Sequence, residues 1–241
     1  WHFLILYRQR QYAAMTLSRI SYCTTCKGRL WQLEQTIGIN LGAIKHNQNI
    51  DLVILDYHSE DGLKDYIFKH YSKYLDSQQL KYFRLVNDRE QFDMSYAKNV
   101  VHKLALGDVL FNLDADNYIG STVEELMLLK ENEIYLPFYI GEGTGRCGRI
   151  GIYASQFKKL NGYNEAIPGL ANDDGDFIHR ALRQGLKSKI SRDLTKPISN
   201  TPAEKYIHAP ISKSYHGNGP VNTQGYGVAT VEDHEGRIFN I

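Results

Sequence analysis

The sequence has few cysteines, little net charge and no long apolar run, and each shortage excludes a class of protein. Three cysteines in 241 residues argue against a disulfide framework and fit a reducing compartment. No apolar stretch is long enough to span a bilayer as a helix. The formal net charge is +1, so the composition gives no sign of a nucleic-acid-binding surface. The length suffices for one large or two small domains with a sizeable core.

Two of the cysteines, Cys23 and Cys26, have the spacing of a redox or zinc-binding pair. A zinc site needs two more ligands, and Cys147 alone does not complete one. The alternative is that the two residues simply end a strand, and the sequence favours this interpretation.

The first 14 residues differ from the chain that follows. Residues 3–7 are apolar, but the run is too short for the core of a signal peptide, and Arg8 and Arg10 follow it. Because Met15 precedes a clean strand pattern, we expect the natural start there and expect residues 1–14 to be an upstream or artificial tail. The alternative is a short anchor at a membrane surface.

Apolar patterning alternates between strands and helices through the first half of the chain. This alternation predicts an α/β fold with a doubly wound, mostly parallel sheet and right-handed crossovers. The second half is expected to be smaller and mixed, and 194–241 shows little periodicity. Strands are predicted near 17–24, 51–56, 81–86, 109–113 and 134–138, and helices near 30–44, 63–74, 97–105, 121–130, 155–160 and 172–182.

The predicted strand at 109–113 ends in two carboxylates, Asp114 and Asp116, one residue apart. In an extended chain such side chains point the same way and repel each other unless a positive charge lies between them. A hard divalent cation would fit, since Mg²⁺ and Mn²⁺ favour carboxylate oxygens and keep positions open for phosphate oxygens. The alternative is a solvated turn.

The first two predicted strands also end near polar side chains. Thr25 and Arg29 come after the first strand and Asp56 ends the second. Ligands of doubly wound sheets bind outside the carboxyl ends of the strands. This coincidence favours a functional site over a turn at Asp114 and Asp116.

Three further features of the second half leave alternatives open. The Gly-rich loop 141–149 is either a mobile lid or a plain surface loop, and its glycines match neither a dinucleotide fingerprint nor a P-loop. Asp173, Asp174 and Asp176 begin a predicted helix, where acids are favoured by the helix dipole, but three exceed what one cap needs. His208, His216 and His234 lie in the last stretch, and each is either a surface residue or a metal ligand.

Six motifs stand out in chain order, and they are Thr24–Arg29, Leu55–Asp56 with Ser59 and Asp61, Ala97–Asn99, Leu113–Asp116, Asn161–Glu165, and Asp173–Phe177 with Arg180. Together they resemble the motifs of glycosyltransferases of family two, which have the GT-A fold. The resemblance covers about residues 18–191, and the C-terminal part resembles the galactosyltransferase and chondroitin-polymerase type.

The resemblance implies one GT-A domain over 15–241. Its Rossmann-like half, 15–117, would bind the nucleotide sugar, and its second half, 118–241, would bind the acceptor and carry the base. Asp56 matches the acid that contacts the nucleotide base, usually uracil. The other nucleotide-sugar-binding positions that the resemblance implies are Thr25, Arg29, Asn99 and Asp114.

The resemblance also implies a metal and a general base. Asp116, with Asp114, matches the metal-binding acids of the family's DxD motif, and His208 would complete the metal shell, with His216 as a rival. Asp174 matches the general base and Asp173 an acceptor-binding acid. Tyr57-His58-Ser59 departs from the Asp-Gly-Ser that often follows the base-contacting acid.

These implied roles amount to an inverting glycosyltransferase that uses a UDP-sugar, Mn²⁺ or Mg²⁺, and a glycan or glycolipid acceptor. A cytoplasmic bacterial enzyme of surface polysaccharide synthesis, at the inner face of the membrane for some acceptors, would fit. One alternative is a non-catalytic nucleotide-sugar or glycan-binding module of the same fold. Another is a phosphatase or phosphotransferase with an Asp-x-Asp nucleophile, although such enzymes usually carry that motif after the first strand.

Overall fold

The computed structural model describes residues 18–86, 91–138, 145–170, 172–201, 203–204, 207 and 220–241. The expected tail at 1–14, the expected start at Met15, and both His208 and His216 lie outside the described residues. So does the first part of the Gly-rich loop, 141–144.

The described strands form one sheet whose centre is parallel. β1 to β4 pair in parallel in the order β4-β1-β2-β3, and the complete order is β7-β5-β6-β4-β1-β2-β3-β8-β9. The first four strands are β1 Ile20–Cys26, β2 Ile50–Asp56, β3 Leu80–Leu85 and β4 Val109–Asn112. The others are β5 Glu133–Leu136, β6 Gly151–Tyr153, β7 Lys187–Ile190, β8 Thr230–Asp233 and β9 Ile238–Asn240.

Antiparallel strands extend the parallel centre on both sides. β6 pairs antiparallel with β4 and with β5, and β7 runs parallel to β5 at that edge. At the other edge β8 pairs antiparallel with β3, and β9 with β8. The C-terminal hairpin therefore closes the edge of the nucleotide-binding half that the resemblance implied, although it lies in the second half of the sequence.

Helices cover both faces of the sheet, as the predicted doubly wound fold requires. Their bounds are α1 Leu30–Ile44, α2 Leu63–Asp76, α3 Met94–Leu104, α4 Thr122–Met127, α5 Ala154–Lys159 and α6 Asp173–Arg183. The apolar residues of α1 and α2 pack on one face, and those of α3 pack on the other. A third cluster joins β4, β5 and β6 to α5 and α6. No helix in the described ranges is long and apolar enough to cross a membrane.

The cysteine pair is buried and divided between the two faces of the sheet. Cys23 belongs to the core cluster under α3, whereas Cys26 belongs to the cluster under α1 and α2. Burial, the largest cause in each case, raises the pKa of both thiols. Residues three apart in a strand point to opposite sides. The redox or zinc interpretation is therefore wrong, and the strand interpretation is confirmed.

The predicted helices are all present, whereas four strands went unpredicted. The helix from Leu30 to Ile44 agrees with its prediction, because its apolar side chains recur with the helical period. β6, β7, β8 and β9 were missed. Each is three or four residues long, and β7 and β9 are mostly exposed, so no apolar alternation marks them.

Candidate active site

The candidate residues gather at the carboxyl ends of the parallel strands. β1, β2 and β4 run in the same direction, so the residues that follow Cys26, Asp56 and Asn112 meet at one edge of the sheet. Two acid pairs lie in this region. We call Asp114 and Asp116 the strand-end pair, and Asp173 and Asp174 the helix pair.

Three amide groups donate hydrogen bonds to the carboxylates of the strand-end pair. Asn112 Nδ2 donates to Asp114 Oδ1 at 3.0 Å, and Asn117 Nδ2 donates to Asp116 Oδ1 at 2.7 Å. Asn200 Nδ2 donates to Asp116 Oδ2. Burial and the charge of Asp114 raise the pKa of Asp116 to about 6, against the lowering effect of these amides and of Arg29.

The segment after β7 brings Asn200 to the strand-end pair. Ile198 N donates to the backbone oxygen of Asp116 at 2.8 Å, which fixes this segment beside the turn. Asn200 Oδ1 accepts a hydrogen bond from Gln32 Nε2 of α1 at 2.9 Å. Asn200 was not among the predicted site residues, because 84 residues separate it from Asp116.

The described end of the Gly-rich loop, 145–149, packs under the strand-end pair. Asn112 Nδ2 donates to Gly148 O at 2.8 Å, and a Cβ at Gly148 would lie 2.7 Å from Asp114 Oδ2. Arg149 is buried and forms an ion pair with Asp193 at 2.7 Å. This part is a packed support for the acids. The first part of the loop, 141–144, lies outside the described residues, so its role as a lid stays a prediction.

The strand-end pair fits the protein's share of a divalent metal site. Two carboxylates are hard oxygen ligands, and the charge of Asp114 raises the pKa of Asp116 even though Arg29 acts against it. Asn117 Oδ1, on the amide that donates to Asp116, is buried without a hydrogen-bond partner among the described residues. A metal with its waters would satisfy such an oxygen.

No three His, Cys, Asp or Glu side chains within the described ranges lie close enough together to hold a metal. The two aspartates would therefore share the ion with oxygens from a bound ligand or from residues outside those ranges. His208 as a ligand stays a prediction, as does its rival His216.

The helix pair differs from the strand-end pair because a buried lysine bridges it. Lys98 Nζ of α3 lies 2.6 Å from Asp173 Oδ2 and 2.6 Å from Asp174 Oδ1. Burial and the charge of Asp173 raise the pKa of Asp174 to about 7, against the lowering effect of Lys98. Burial alone would lower the pKa of Lys98, but the charges of Asp173 and Asp174 hold it well above its ordinary value.

The third acid of this helical turn has a separate role. Asp176 Oδ2 accepts a hydrogen bond from Arg180 Nε at 2.8 Å, one turn along α6. The two terminal nitrogens of Arg180 donate to the backbone oxygens of Leu160 and Gly162, at 2.7 and 2.8 Å. Simple capping therefore does not account for the three acids, because Asp176 ties α6 to the loop 160–162 while the other two bind Lys98.

The two acid pairs act on each other electrostatically. The charge of Asp114 raises the pKa of Asp174, and it also contributes to the raised pKa of Lys98. Such an effect weakens with separation, so the strand end and the start of α6 lie near each other.

Two of the predicted nucleotide-binding residues, Thr25 and Arg29, lie at this edge. Thr25 is buried at the end of β1, where its hydroxyl donates to Met94 Sδ at 3.8 Å. Arg29 precedes α1, and its charge lowers the pKa of Asp116. A guanidinium in that position suits a diphosphate bound to the same metal site.

Asp56 is fully buried, and both of its carboxylate oxygens have internal partners. Oδ1 accepts from Ser59 N at 2.7 Å, and Oδ2 accepts from the Tyr82 hydroxyl at 2.5 Å. These bonds fix the turn after β2. Contact of Asp56 with a nucleotide base stays a prediction, and it would have to use the remaining lone pairs of these oxygens.

Asn99 holds the loop 161–165 in place. Its Nδ2 donates to Tyr163 O and to Glu165 Oε1, both at 2.8 Å, and its Oδ1 accepts from Tyr163 N at 2.7 Å. A Cβ at Gly162, which has φ of +66°, would collide with Asn99 Oδ1. Both N–H groups of Asn99 are thus in use, and direct contact with a nucleotide sugar stays a prediction.

Comparisons with known proteins agree with the topology. No protein-family model matches the sequence, and no curated protein matches it significantly. Solved structures do match. A mannosyltransferase from Pyrobaculum calidifontis, in complex with GDP-Man and Mn²⁺, superposes with a TM-score of 0.61 at 12% identity, over 85% of this chain and 66% of that one.

Two further structures extend the comparison. TarS 1–349 from S. aureus, in complex with UDP-GlcNAc, gives a TM-score of 0.60 at 13% identity, over 80% of this chain and 62% of that one. Drosophila β1,4-galactosyltransferase 7, with manganese, UDP-Gal and xylobiose, gives a TM-score of 0.54 at 14% identity, over 83% of this chain and 76% of that one. The chain thus spans less than two thirds of the first two structures. At these identities the likeness shows the fold, and the chain has the GT-A glycosyltransferase fold.

Proposed function

We propose that this protein is a metal-dependent, inverting glycosyltransferase of the family-two type. It would transfer a sugar from a nucleoside-diphosphate sugar, with UDP as the expected nucleotide, to a hydroxyl of a glycan or glycolipid. The observation that carries the proposal is the pairing of two acid sites at one edge of a GT-A sheet. One acid pair suits a divalent cation, and the other contains a carboxyl with a pKa of about 7.

The leaving group defines the first task of the site. Departure of a nucleoside diphosphate needs its developing charge neutralised, and Mn²⁺ or Mg²⁺ held by Asp114 and Asp116 would supply that as a Lewis acid. Arg29 would add a fixed positive charge on the same side. The bound Mn²⁺ of the mannosyltransferase and of the galactosyltransferase supports a divalent metal here.

The acceptor defines the second task. A hydroxyl is a weak nucleophile near neutral pH, and Asp174 would accept its proton as the oxygen attacks the anomeric carbon. The bond from that carbon to the diphosphate breaks in the same displacement, and its electron pair leaves with the phosphate oxygen. A base with a pKa of about 7 suits this work, because it is partly ionised at neutral pH and still basic enough to take the proton. One base and one displacement imply inversion.

The finer parts of the proposal follow from the resemblance. Thr25 and Arg29 would line the nucleotide, and Asp56 and Asn99 would reach it through their remaining acceptor positions. His208 would complete the metal shell. A bacterial enzyme of surface polysaccharide synthesis, in the cytoplasm or at the inner face of the membrane, would encounter acceptors of the proposed kind.

The test is release of nucleotide from UDP- and GDP-sugars, with Mn²⁺ and a panel of glycan acceptors. We expect metal-dependent turnover that falls by about 100-fold or more in Asp174→Asn, while nucleotide binding is retained. Asp176→Asn is the matched control, because it removes a carboxylate from the same helical turn that binds Arg180 and not Lys98. Nucleotide binding without turnover would favour the binding-module alternative. Near-normal turnover in Asp174→Asn would refute the base.

A further inference from the structure

The core-facing surface of α3 carries a lysine where apolar residues are expected. Ala97 and Val101 on the same helix are fully buried, and the Lys98 side chain is only 2% exposed. A buried ammonium needs anionic partners to offset the loss of hydration. Its partners are Asp173 and Asp174, which lie 75 and 76 residues away in the sequence.

The two aspartates bound by Lys98 differ in their access to solvent. The Asp173 side chain is 7% exposed and the Asp174 side chain is 20% exposed. An acceptor sugar approaching this pair would therefore meet Asp174 first. Lys98 bonds to Oδ1 of Asp174, so Oδ2 is the oxygen that an acceptor hydroxyl would meet.

We propose that Lys98 is a positioning residue that holds Asp174 for its work as the base, and that Asp173 is the buried counter-ion of this lysine and not an acceptor ligand. The inference rests on the proposed function, which named Asp174 as the base. Lys98 would act through Asp174 and would not touch the substrate.

The charges of this cluster explain why the lysine matters. With two carboxylates and one ammonium the cluster carries a net charge of −1, and it becomes neutral when Asp174 accepts the acceptor's proton. Lys98 keeps its own protons, because the Asp173 carboxylate still stabilises its ammonium form after Asp174 has become neutral. The other titratable groups that act on Asp174 and Lys98 are Asp114, from the strand-end pair, and Tyr163, whose ring lies 5.0 Å from Lys98 Nζ.

The decisive experiment is the pH profile of kcat/KM in four proteins: the wild type, Lys98→Met, Lys98→Arg and Asp173→Asn. The wild-type profile should rise through a midpoint near 7. Lys98→Met should move the midpoint upward by about one unit or more, since the positive charge is lost. Asp173→Asn should move it downward, since a like charge is lost. Lys98→Arg should keep it within about half a unit, because the charge remains.

A purely structural lysine would give a different result. Turnover in Lys98→Met would then fall by the same factor at every pH, with the midpoint unchanged. That result, or an unchanged midpoint in Asp173→Asn, would overturn the inference. Should Lys98→Met fail to fold, the double variant Lys98→Met/Asp173→Asn removes one charge of each sign. Its midpoint should return to near that of the wild type.

A second readout separates this inference from the proposed function. The carboxyl carbon of Asp174 can be titrated by carbon-13 NMR without any substrate, with Asp174→Asn identifying its signal. The midpoint should fall in Asp173→Asn and stay in Lys98→Arg. Absence of wild-type turnover with every sugar nucleotide would refute the function alone. Equal NMR midpoints in the wild type, Asp173→Asn and the Lys98→Met/Asp173→Asn variant would refute the control of Asp174 by this cluster.

Discussion

The two acid pairs of the candidate site contain the same residue type but bind side chains of different charge. Asp173 and Asp174 at the start of α6 share a buried lysine, whose Nζ lies 2.6 Å from each. Asp114 and Asp116 after β4 accept hydrogen bonds from the neutral amides of Asn112, Asn117 and Asn200. The lysine is a fixed counter-charge for the helix pair, whereas the amides bring no net charge to the strand-end pair, which suits that pair to bind a divalent cation from solution.

The largest expected effect comes from removing a carboxylate from the strand-end pair. Asp116→Asn should lower turnover by roughly 1000-fold, since a metal contributes several kcal/mol of charge stabilisation to the departing diphosphate. Added Mn²⁺ at high concentration should restore only part of the loss. Steady-state kinetics across a Mn²⁺ series would measure it. Asp176→Asn, which removes a carboxylate that binds Arg180, should respond to Mn²⁺ as the wild type does.

A cationic side chain introduced beside the strand-end pair would remove its difference from the helix pair. Asn200→Lys would place an ammonium beside Asp116, in place of the amide that now bonds to it. Mn²⁺ affinity should fall by about 100-fold, the equivalent of roughly 2.7 kcal/mol of lost attraction. Calorimetric titration with Mn²⁺ would measure it. Asn200→Ala, which removes the amide and adds no charge, should change the affinity by less than about 5-fold. Equal affinities for both variants would contradict the account.

The region behind the helix pair makes a prediction about acid stability. His102 is buried, its Nδ1–H donates to Lys98 O at 2.7 Å, and its ring stacks on Phe157. Burial lowers the pKa of His102 from 6.5 to about 3. The unfolded chain therefore binds a proton below pH 6.5 that the folded chain refuses. This contribution to stability is present in full above pH 6.5 and is lost progressively as the pH falls towards 3.

At pH 5 the loss attributable to His102 should be about 2 kcal/mol. His102→Gln should be less stable than the wild type at pH 7, yet lose less stability between pH 7 and 5. Urea unfolding at both pH values would measure the difference. His70→Gln, at an exposed position on α2, is the control and should leave the wild-type pH dependence unchanged. An equal loss in His102→Gln and the wild type would contradict the neutral, buried state of His102.

A smaller effect distinguishes the glycines beside the two pairs. A Cβ at Gly148 would lie 2.7 Å from Asp114 Oδ2, whereas a Cβ at Gly175, next to Asp174, would meet nothing within 4 Å. Gly148→Ala should displace Asp114 and weaken Mn²⁺ binding by about 10-fold, the size seen when groups that orient metal ligands are lost. Gly175→Ala should leave Mn²⁺ binding unchanged and raise stability by roughly 0.5–1 kcal/mol through helix propensity.

Much of the fold follows from local patterns in the sequence. The helices α1, α2 and α3 could be predicted because their apolar residues recur with the helical period. The four central strands could be predicted because each is a short, mostly apolar run, and the acids at the strand ends follow from the topology. The C-terminal hairpin, β8 and β9, could not be predicted. Its strands are short, and it is held by pairing with β3 more than 140 residues earlier in the chain, a contact that no local period encodes.

The site could be predicted only in part, for a similar reason. The acids stand out by their spacing, but Lys98 and Asn200 are ordinary polar residues until the fold brings them to Asp174 and Asp116. One signal pointed to Lys98: it lies on the apolar face of α3, where a lysine must find an acid. No comparable signal marks Asn200, in a segment without periodicity.

The measurement that tests the account most directly is thermal unfolding of the wild type and Asp116→Asn with UDP, GDP, Mn²⁺ and each nucleotide plus Mn²⁺. A ligand that binds only the folded state raises the Tm by mass action. One nucleotide together with Mn²⁺ should raise the wild-type Tm by more than the sum of the separate effects. Asp116→Asn should lose this excess. No shift of the wild-type Tm with either nucleotide, with or without Mn²⁺, would contradict a nucleotide-sugar site at this edge of the sheet.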